Sequence, residues 1–186
     1  INQGTASGIF LVLVTITTVT IHYKLVITTL PLEIGGVWLL FWGLGSFVVV
    51  FDLGVGPTIS REIAFLAEDE NRNTQIPNLV KIGLWTYLAL GTVLFVIATG
   101  LGYVFLSRLE LQLIQVGELR YLWLIFVAGT CVNFFGNLFY SVLTGQGFIF
   151  EERMSRAAGM LFWLVSSSYA LYQGFELQGL CLCWLI

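Results

Sequence analysis

Residues 8–30 read GIFLVLVTITTVTIHYKLVITTL. In water, so much Val, Ile and Thr would favour a β-strand. The run is too long for that. About 20 apolar residues are what a helix needs to cross the hydrocarbon core of a bilayer. A barrel strand is about ten residues long and alternates apolar with polar positions, and this run does neither. Within lipid every backbone polar group must be satisfied internally. The stretch therefore predicts a transmembrane helix, closed by Pro31 and Glu33. The whole chain has the same character: 58% of its 186 residues are hydrophobic and 10% charged, with a mean hydropathy of +0.90. A soluble domain carries roughly a quarter of its residues charged. The bilayer is thus the first partner that the composition implies. The formal net charge is −3, and the charges sit in short clusters between apolar runs. Without a basic stripe, nucleic acid is excluded as a partner.

The same reading continues along the chain. A second span is predicted over about Val37–Leu53, ended by Gly54, Gly56 and Pro57. Over Pro57–Leu66, Ile59, Ile63 and Leu66 fall at helical spacing around Ser60, Arg61 and Glu62, the pattern of an amphipathic helix at the membrane surface. Glu68–Gln75 reads as an aqueous loop, Ile82–Leu106 as a third span and Ser107–Arg120 as a polar connection. Leu122–Leu143 is a fourth span, Gly145–Arg156 a loop, Ala157–Tyr172 a fifth span and Leu177–Ile186 a sixth. The fold class is all-α: one transmembrane domain over residues 1–186, a bundle of about six spans. No basic n-region or small-residue cleavage site marks a secretory signal. The chain opens on Ile1 and closes inside an apolar run, so the expectation is an N-terminal portion of a longer protein, cut at both ends. With the N-terminus in the cytoplasm, Arg61, Arg72, Lys81, Arg153 and Arg156 fall inside and Lys24, Arg108 and Arg120 outside, the bias of the positive-inside rule. Trp38, Trp42, Trp85, Tyr103, Tyr121, Trp123 and Tyr172 lie near span ends, where interfacial anchors sit.

Few residues can carry chemistry. The chain has one histidine and no nucleophile elbow, phosphate-binding loop or zinc-protease motif, so an enzyme is not expected. Cys131, Cys181 and Cys183 lie in apolar runs without a second ligand pair, which reads as small packed residues rather than a metal site. Ionisable groups within spans are functional candidates because lipid makes them costly. Lys24 and His22 either snorkel to the interface or line a polar cavity and meet an anionic group. Thr15, Thr18 and His22 share one helix face. Asp52 either pairs with Arg61 or caps the amphipathic helix, or holds a proton or cation, or is exposed at the interface. Asn133, Asn137, Tyr140, Ser141 and Thr144 form a polar stripe that either bonds neighbouring helices or lines a hydrated, sugar-binding cavity; Ser166–Ser168 admit the same readings. Gly35, Gly36, Gly43 and Gly45 predict close helix approach.

Phe51-Asp52-Leu53-Gly54-Val55-Gly56-Pro57-Thr58-Ile59-Ser60-Arg61-Glu62-Ile63-Ala64 resembles the end of the second span in the polysaccharide and O-antigen flippases, the Wzx-type members of the multidrug/oligosaccharidyl-lipid/polysaccharide exporter superfamily. Their motif is Asp-Leu-Gly-x-Gly followed by an Arg and an Ala, here Asp52, Gly54, Gly56 and Arg61. Leu30-Pro31-Leu32-Glu33 and Gly36-Val37-Trp38 resemble the family's outer turn, Leu143–Gly147 its glycine-bearing loop after span four, and Gly179-Leu180 the opening of span six. The resemblance covers nearly the whole chain, as most of the first lobe of a two-lobe transporter like the multidrug exporters. It implies a flippase in the bacterial inner membrane that moves an undecaprenyl-pyrophosphate-linked oligosaccharide between leaflets, with the polymerase and glycosyltransferases of the same pathway as further partners. Some relatives carry cationic residues in the first span, facing the central cavity. Lys24 and His22 are then the candidates for the pyrophosphate, and Asn133, Asn137 and Tyr140 for sugar hydroxyls. No cofactor is implied, and coupling to a proton or sodium gradient stays open. Such a half-cavity is not expected to flip lipid alone. The alternatives are a cation-coupled drug exporter, which should hold more acidic residues deep in its spans, and a non-transporting membrane scaffold, whose polar stripes should face neighbouring helices. A membrane-bound transferase ranks last, for want of a clustered acid/base set.

Overall fold

The computed structural model describes residues 3–66, 72–109 and 111–185, and among them every regular element is an α-helix. They are α1 (Gln3–Thr29), α2 (Leu32–Ser46), α3 (Val48–Phe51), α4 (Val55–Leu66), α5 (Arg72–Leu106), α6 (Val116–Gly145), α7 (Ile149–Tyr172) and α8 (Glu176–Trp184). Among the described residues, three helices are long and apolar enough to cross a membrane: α1 from Gly4 on, α5 and α6. At 1.5 Å per residue, the 27 residues of α1 reach about 40 Å, beyond the roughly 30 Å of hydrocarbon. Their outward faces are apolar: Ile9, Leu13, Ile16 and Ile27 of α1 and Val96 and Leu101 of α5 are all exposed. This is the make-up of a helical membrane protein.

Helix directions follow from which residues meet. Arg153 of α7 donates to Gly4 O, Thr15 Oγ1 lies 3.2 Å from Met160 Sδ, and Ser167 Oγ lies 3.3 Å from His22 Nδ1. Both numbers rise together, so α1 and α7 run parallel. α6 runs antiparallel to α5, with Cys131 against Gly91 and Trp123 Nε1 donating to Ala98 O at 3.0 Å. It runs parallel to α8, since Gln178 meets Glu118 and Trp184 meets Thr130.

Several helix ends differ from the expectation. Pro31 stands just before α2, and Glu33, expected with it to close the first span, lies in the first turn of α2, where a carboxylate suits the helix dipole. The second run breaks at Phe47 into α2 and α3. Of the expected Glu68–Gln75 loop, residues 68–71 lie outside the described residues, and Arg72–Gln75 already belong to α5. Val116–Arg120 belong to α6. The expected Gly145–Arg156 loop shrinks to a turn at residues 146–148, and Glu151, Glu152, Arg153 and Arg156 are helical. Polarity marks where an apolar run stops, but a helix continues into water when acidic residues fill its first turn, as Glu151 and Glu152 do.

The aromatic assignment also needs correction. Trp85, Tyr103, Tyr121 and Tyr172 are exposed, but Trp38 and Trp123 are 0% and 5% exposed. Trp38 meets Phe126 and Trp184 edge-to-face, and Trp123 meets Phe41 edge-to-face and stacks on Phe126, in the core where α2, α6 and α8 meet. Helix approach is close at Gly35 and Gly45, with a neighbouring side chain 3.6 Å and 2.8 Å from a built Cβ, and open at Gly36 and Gly43.

α4 is amphipathic as expected, and its apolar face has a protein partner. Ile59 and Ile63 are buried against α5 and α6. At Gly145 a Cβ would stand 2.6 Å from Ser60 O and 2.8 Å from Ile63 Cβ. Gly145→Ala is therefore expected to push α4 off α6 and cost about 1–3 kcal/mol by overpacking. Gly136→Ala, whose nearest neighbour is Tyr140 Cε2 at 3.9 Å, should be neutral. Thermal unfolding of the two variants in detergent checks the contrast.

Candidate functional site

The Asp52 turn is built from local geometry first. α3 ends at Phe51, and the chain kinks through Leu53 (φ 48°) and Gly54 (φ 77°) before α4 continues past α5 in the same sense. Left-handed backbone is readily adopted by glycine and costs a leucine energy. Asp52 is positioned to cap α4: its Oδ2 accepts from Gly56 N–H, in the first turn of that helix, at 3.3 Å. Its Oδ1 accepts from the hydroxyl of Tyr87, a fully buried residue of α5. A Cβ at Gly56 would stand 2.8 Å from Ser141 Oγ and 2.9 Å from Tyr87 OH. The glycine is what lets the turn close on these groups. Of the readings open for Asp52, the geometry is that of the cap. Arg61 is exposed and pairs with Glu62 at 3.3 Å, a contact worth at most about 1 kcal/mol.

The turn stands at the end of the bundle where α6 finishes and α7 begins. There the Arg156 guanidinium lies 4.0 Å from the centroid of the Tyr140 ring and is paired with Glu152, which is 8% exposed. Tyr87, Glu152 and Arg156 were not singled out from the sequence as members of this site. Tyr87 sits among apolar neighbours in α5, and the only local signal for the other two is their i,i+4 spacing.

The five cargo candidates separate. His22 is fully buried. Trp38 Nε1–H donates to its Nε2 at 2.9 Å. Indole is a donor only, so the imidazole hydrogen belongs on Nδ1, facing Ser167 Oγ at 3.3 Å, while Ser167 donates to Leu164 O. Trp163 and Trp42 pack on the ring at centroid distances of 4.2 Å and 5.3 Å. Both ring nitrogens are thus engaged inside the protein. Lys24, two residues on, is exposed, and so faces another way. The Thr15–Thr18–His22 face lies along α7. Asn133 donates to Gly129 O and Trp184 O, both at 3.1 Å, tying α6 to α8. Asn137 and Tyr140 are partly exposed. Ser141 and Thr144 return their hydroxyls to the carbonyls of Asn137 and Tyr140, as hydroxyls in apolar helices do.

No family model matches the chain, and neither a curated protein nor a solved structure matches it. Among the described residues no group of His, Cys, Asp and Glu could hold a metal ion, and the three cysteines are free.

Proposed function

We propose that the chain is part of a membrane flippase for undecaprenyl-pyrophosphate-linked oligosaccharides, forming most of the first lobe of a two-lobe transporter, with six crossings and the N-terminus in the cytoplasm of a bacterial inner membrane. The observation that carries this reading is the Asp52–Gly56 turn. The stretch on which the flippase resemblance rests folds as one device, with Asp52 as cap, Gly54 as the left-handed kink and Gly56 as the point of close approach. The helix directions suit six crossings, with α2–α3, α7 and α8 completing the set begun by α1, α5 and α6.

A sugar–pyrophosphate head group cannot enter hydrocarbon without replacements for its water. Lys24, Asn133 through its Oδ1, Asn137 and Tyr140 are the candidates with polar groups left to offer. His22 is a candidate only through the helices it holds in place. Rocking of two lobes about the bound head group would give alternating access, with a proton or sodium gradient as the drive and the polymerase and glycosyltransferases of the pathway as neighbours.

One specific observation favours a second reading. The polar stripe of α1 and Asn133 of α6 face neighbouring helices, as a non-transporting membrane scaffold requires. The test expresses the complete reading frame that contains this chain in strains lacking their own flippase, each with a different repeat-unit pathway. The flippase reading expects surface glycan restored in at least one strain, and lost again in Asn137→Leu/Tyr140→Leu with the protein still in the membrane. No restoration in any strain, with the protein present at wild-type amounts, would leave the scaffold.

A further inference from the structure

α2 and α5 both pack on α6 rather than along each other, and the space between them is a groove of about 610 Å³. That volume lies in the usual range for a small-molecule site. Its walls are apolar: Leu44 of α2, Ile97 and Leu101 of α5, and a floor of Trp123 and Phe126 from α6. Two glycines set that floor. A Cβ at Gly45 would stand 2.8 Å from Phe126, and one at Gly102 would overlap the Trp123 indole. At one end Val48 and Phe51 of α3 pack on the cluster that holds Leu94 and close the groove. At the other end stands Arg108, two residues beyond the last residue of α5. From Leu94 to Arg108 the groove follows α5 for roughly 20 Å, about two thirds of the hydrocarbon thickness.

We propose that this groove seats one acyl chain of an anionic phospholipid whose phosphate meets Arg108. The medium around an apolar groove in a membrane-crossing bundle is lipid, and an acyl chain is the apolar rod that fits it. The charge at its mouth selects the headgroup. Arg108 is exposed and has no ion-pair partner among the described residues. Arg120 adds a second guanidinium at the same end, 3.8 Å from the Tyr103 ring centroid, with a buried Nε that has no hydrogen-bond partner. Among the described carboxylates toward this end, Glu33 accepts from Leu113 N–H at 2.8 Å and Glu118 from Gln178 at 2.9 Å. A guanidinium just past the end of a spanning helix stands at phosphate level, and guanidinium–phosphate pairing is strong and directional. The site is independent of transport and would exist in a scaffold as well.

The test is native mass spectrometry of the purified protein in detergent, titrated with palmitoyl-oleoyl phosphatidylglycerol and, separately, with the phosphatidylcholine of the same chains. The site predicts one saturable phosphatidylglycerol adduct that outlasts the others on activation. Arg108→Gln should weaken it by on the order of tenfold and leave phosphatidylcholine binding unchanged. Ile97→Trp, which fills the groove from an already exposed apolar position, should remove the adduct, with circular dichroism confirming that the helices remain. A wild-type protein with only a graded, unsaturable lipid distribution would overturn the proposal, as would Arg108→Gln and Ile97→Trp both binding phosphatidylglycerol like the wild type.

Discussion

His22→Ala is expected to destabilise the protein by about 3–5 kcal/mol, the range for emptying a large buried site, while Lys24→Ala leaves stability within about 0.5 kcal/mol, as surface changes do. The contrast comes from position. His22 joins three helices: its own α1, α2 through Trp38, and α7 through Ser167 and Trp163. Removing the imidazole opens a hole among three tryptophans. It also strands the Trp38 N–H, and a buried donor without an acceptor costs a further 1–3 kcal/mol or so. Lys24 is exposed, and its backbone carbonyl, not its ammonium, accepts from Thr28 Oγ1 at 2.8 Å. His22→Gln should fall between, since one amide can accept from Trp38 but cannot fill the ring's volume. Unfolding in detergent measures all three. Equal stability of His22→Ala and Lys24→Ala would contradict the placement of His22 at the centre of the bundle.

Asp52→Ala is expected to cost about 3 kcal/mol. Loss of the cap accounts for roughly 0.5–2 kcal/mol, and taking away the carboxylate to which the buried Tyr87 hydroxyl donates, leaving it Ser141 alone, for about 1–3 kcal/mol. Asp52→Asn keeps a carbonyl for Tyr87 and should lose only about 1 kcal/mol. Tyr87→Phe made in the Asp52→Ala background should recover part of the loss, because the hydroxyl deprived of its carboxylate goes with it. A double-mutant cycle is therefore expected to show coupling of roughly 1–2 kcal/mol between residues 52 and 87. Additive effects would mean that the Tyr87–Asp52 hydrogen bond contributes nothing.

The long apolar runs made helix the legible state, because lipid leaves the backbone few alternatives. Helix ends were less legible. The start of α7 carries four charged residues among its first eight, which reads as loop on hydropathy alone, yet acidic side chains in a first turn are compatible with helix. The Asp52 cap was legible because its partner, Gly56, is four residues away. Its other partner, Tyr87, is separated by 35 residues, and nothing in an apolar run says which tyrosine turns inward. His22 shows the same limit more sharply. Its hydrogen-bond partners are 16 and 145 residues away. The pattern that could suggest a cavity, Thr15–Thr18–His22 on one face, is also the pattern of a polar seam between two parallel helices. Trp38 and Trp123 read as interfacial anchors by their place near span ends, but a tryptophan that finds an acceptor for its N–H can be buried, and His22 Nε2 and Ala98 O are those acceptors.

With α1 and α7 parallel, both helices of a membrane-crossing bundle start on the same side of the membrane. Single cysteines placed at Thr5, Gln146, Gln112 and Gln173, all exposed, in a chain whose own Cys131, Cys181 and Cys183 are replaced by alanine, test it through labelling of intact cells with a membrane-impermeant thiol reagent. The bundle predicts that positions 5 and 146 respond alike, that 112 and 173 respond alike, and that the two pairs are opposite. Labelling of 5 and 146 from opposite sides, or of all four from one side, would contradict it.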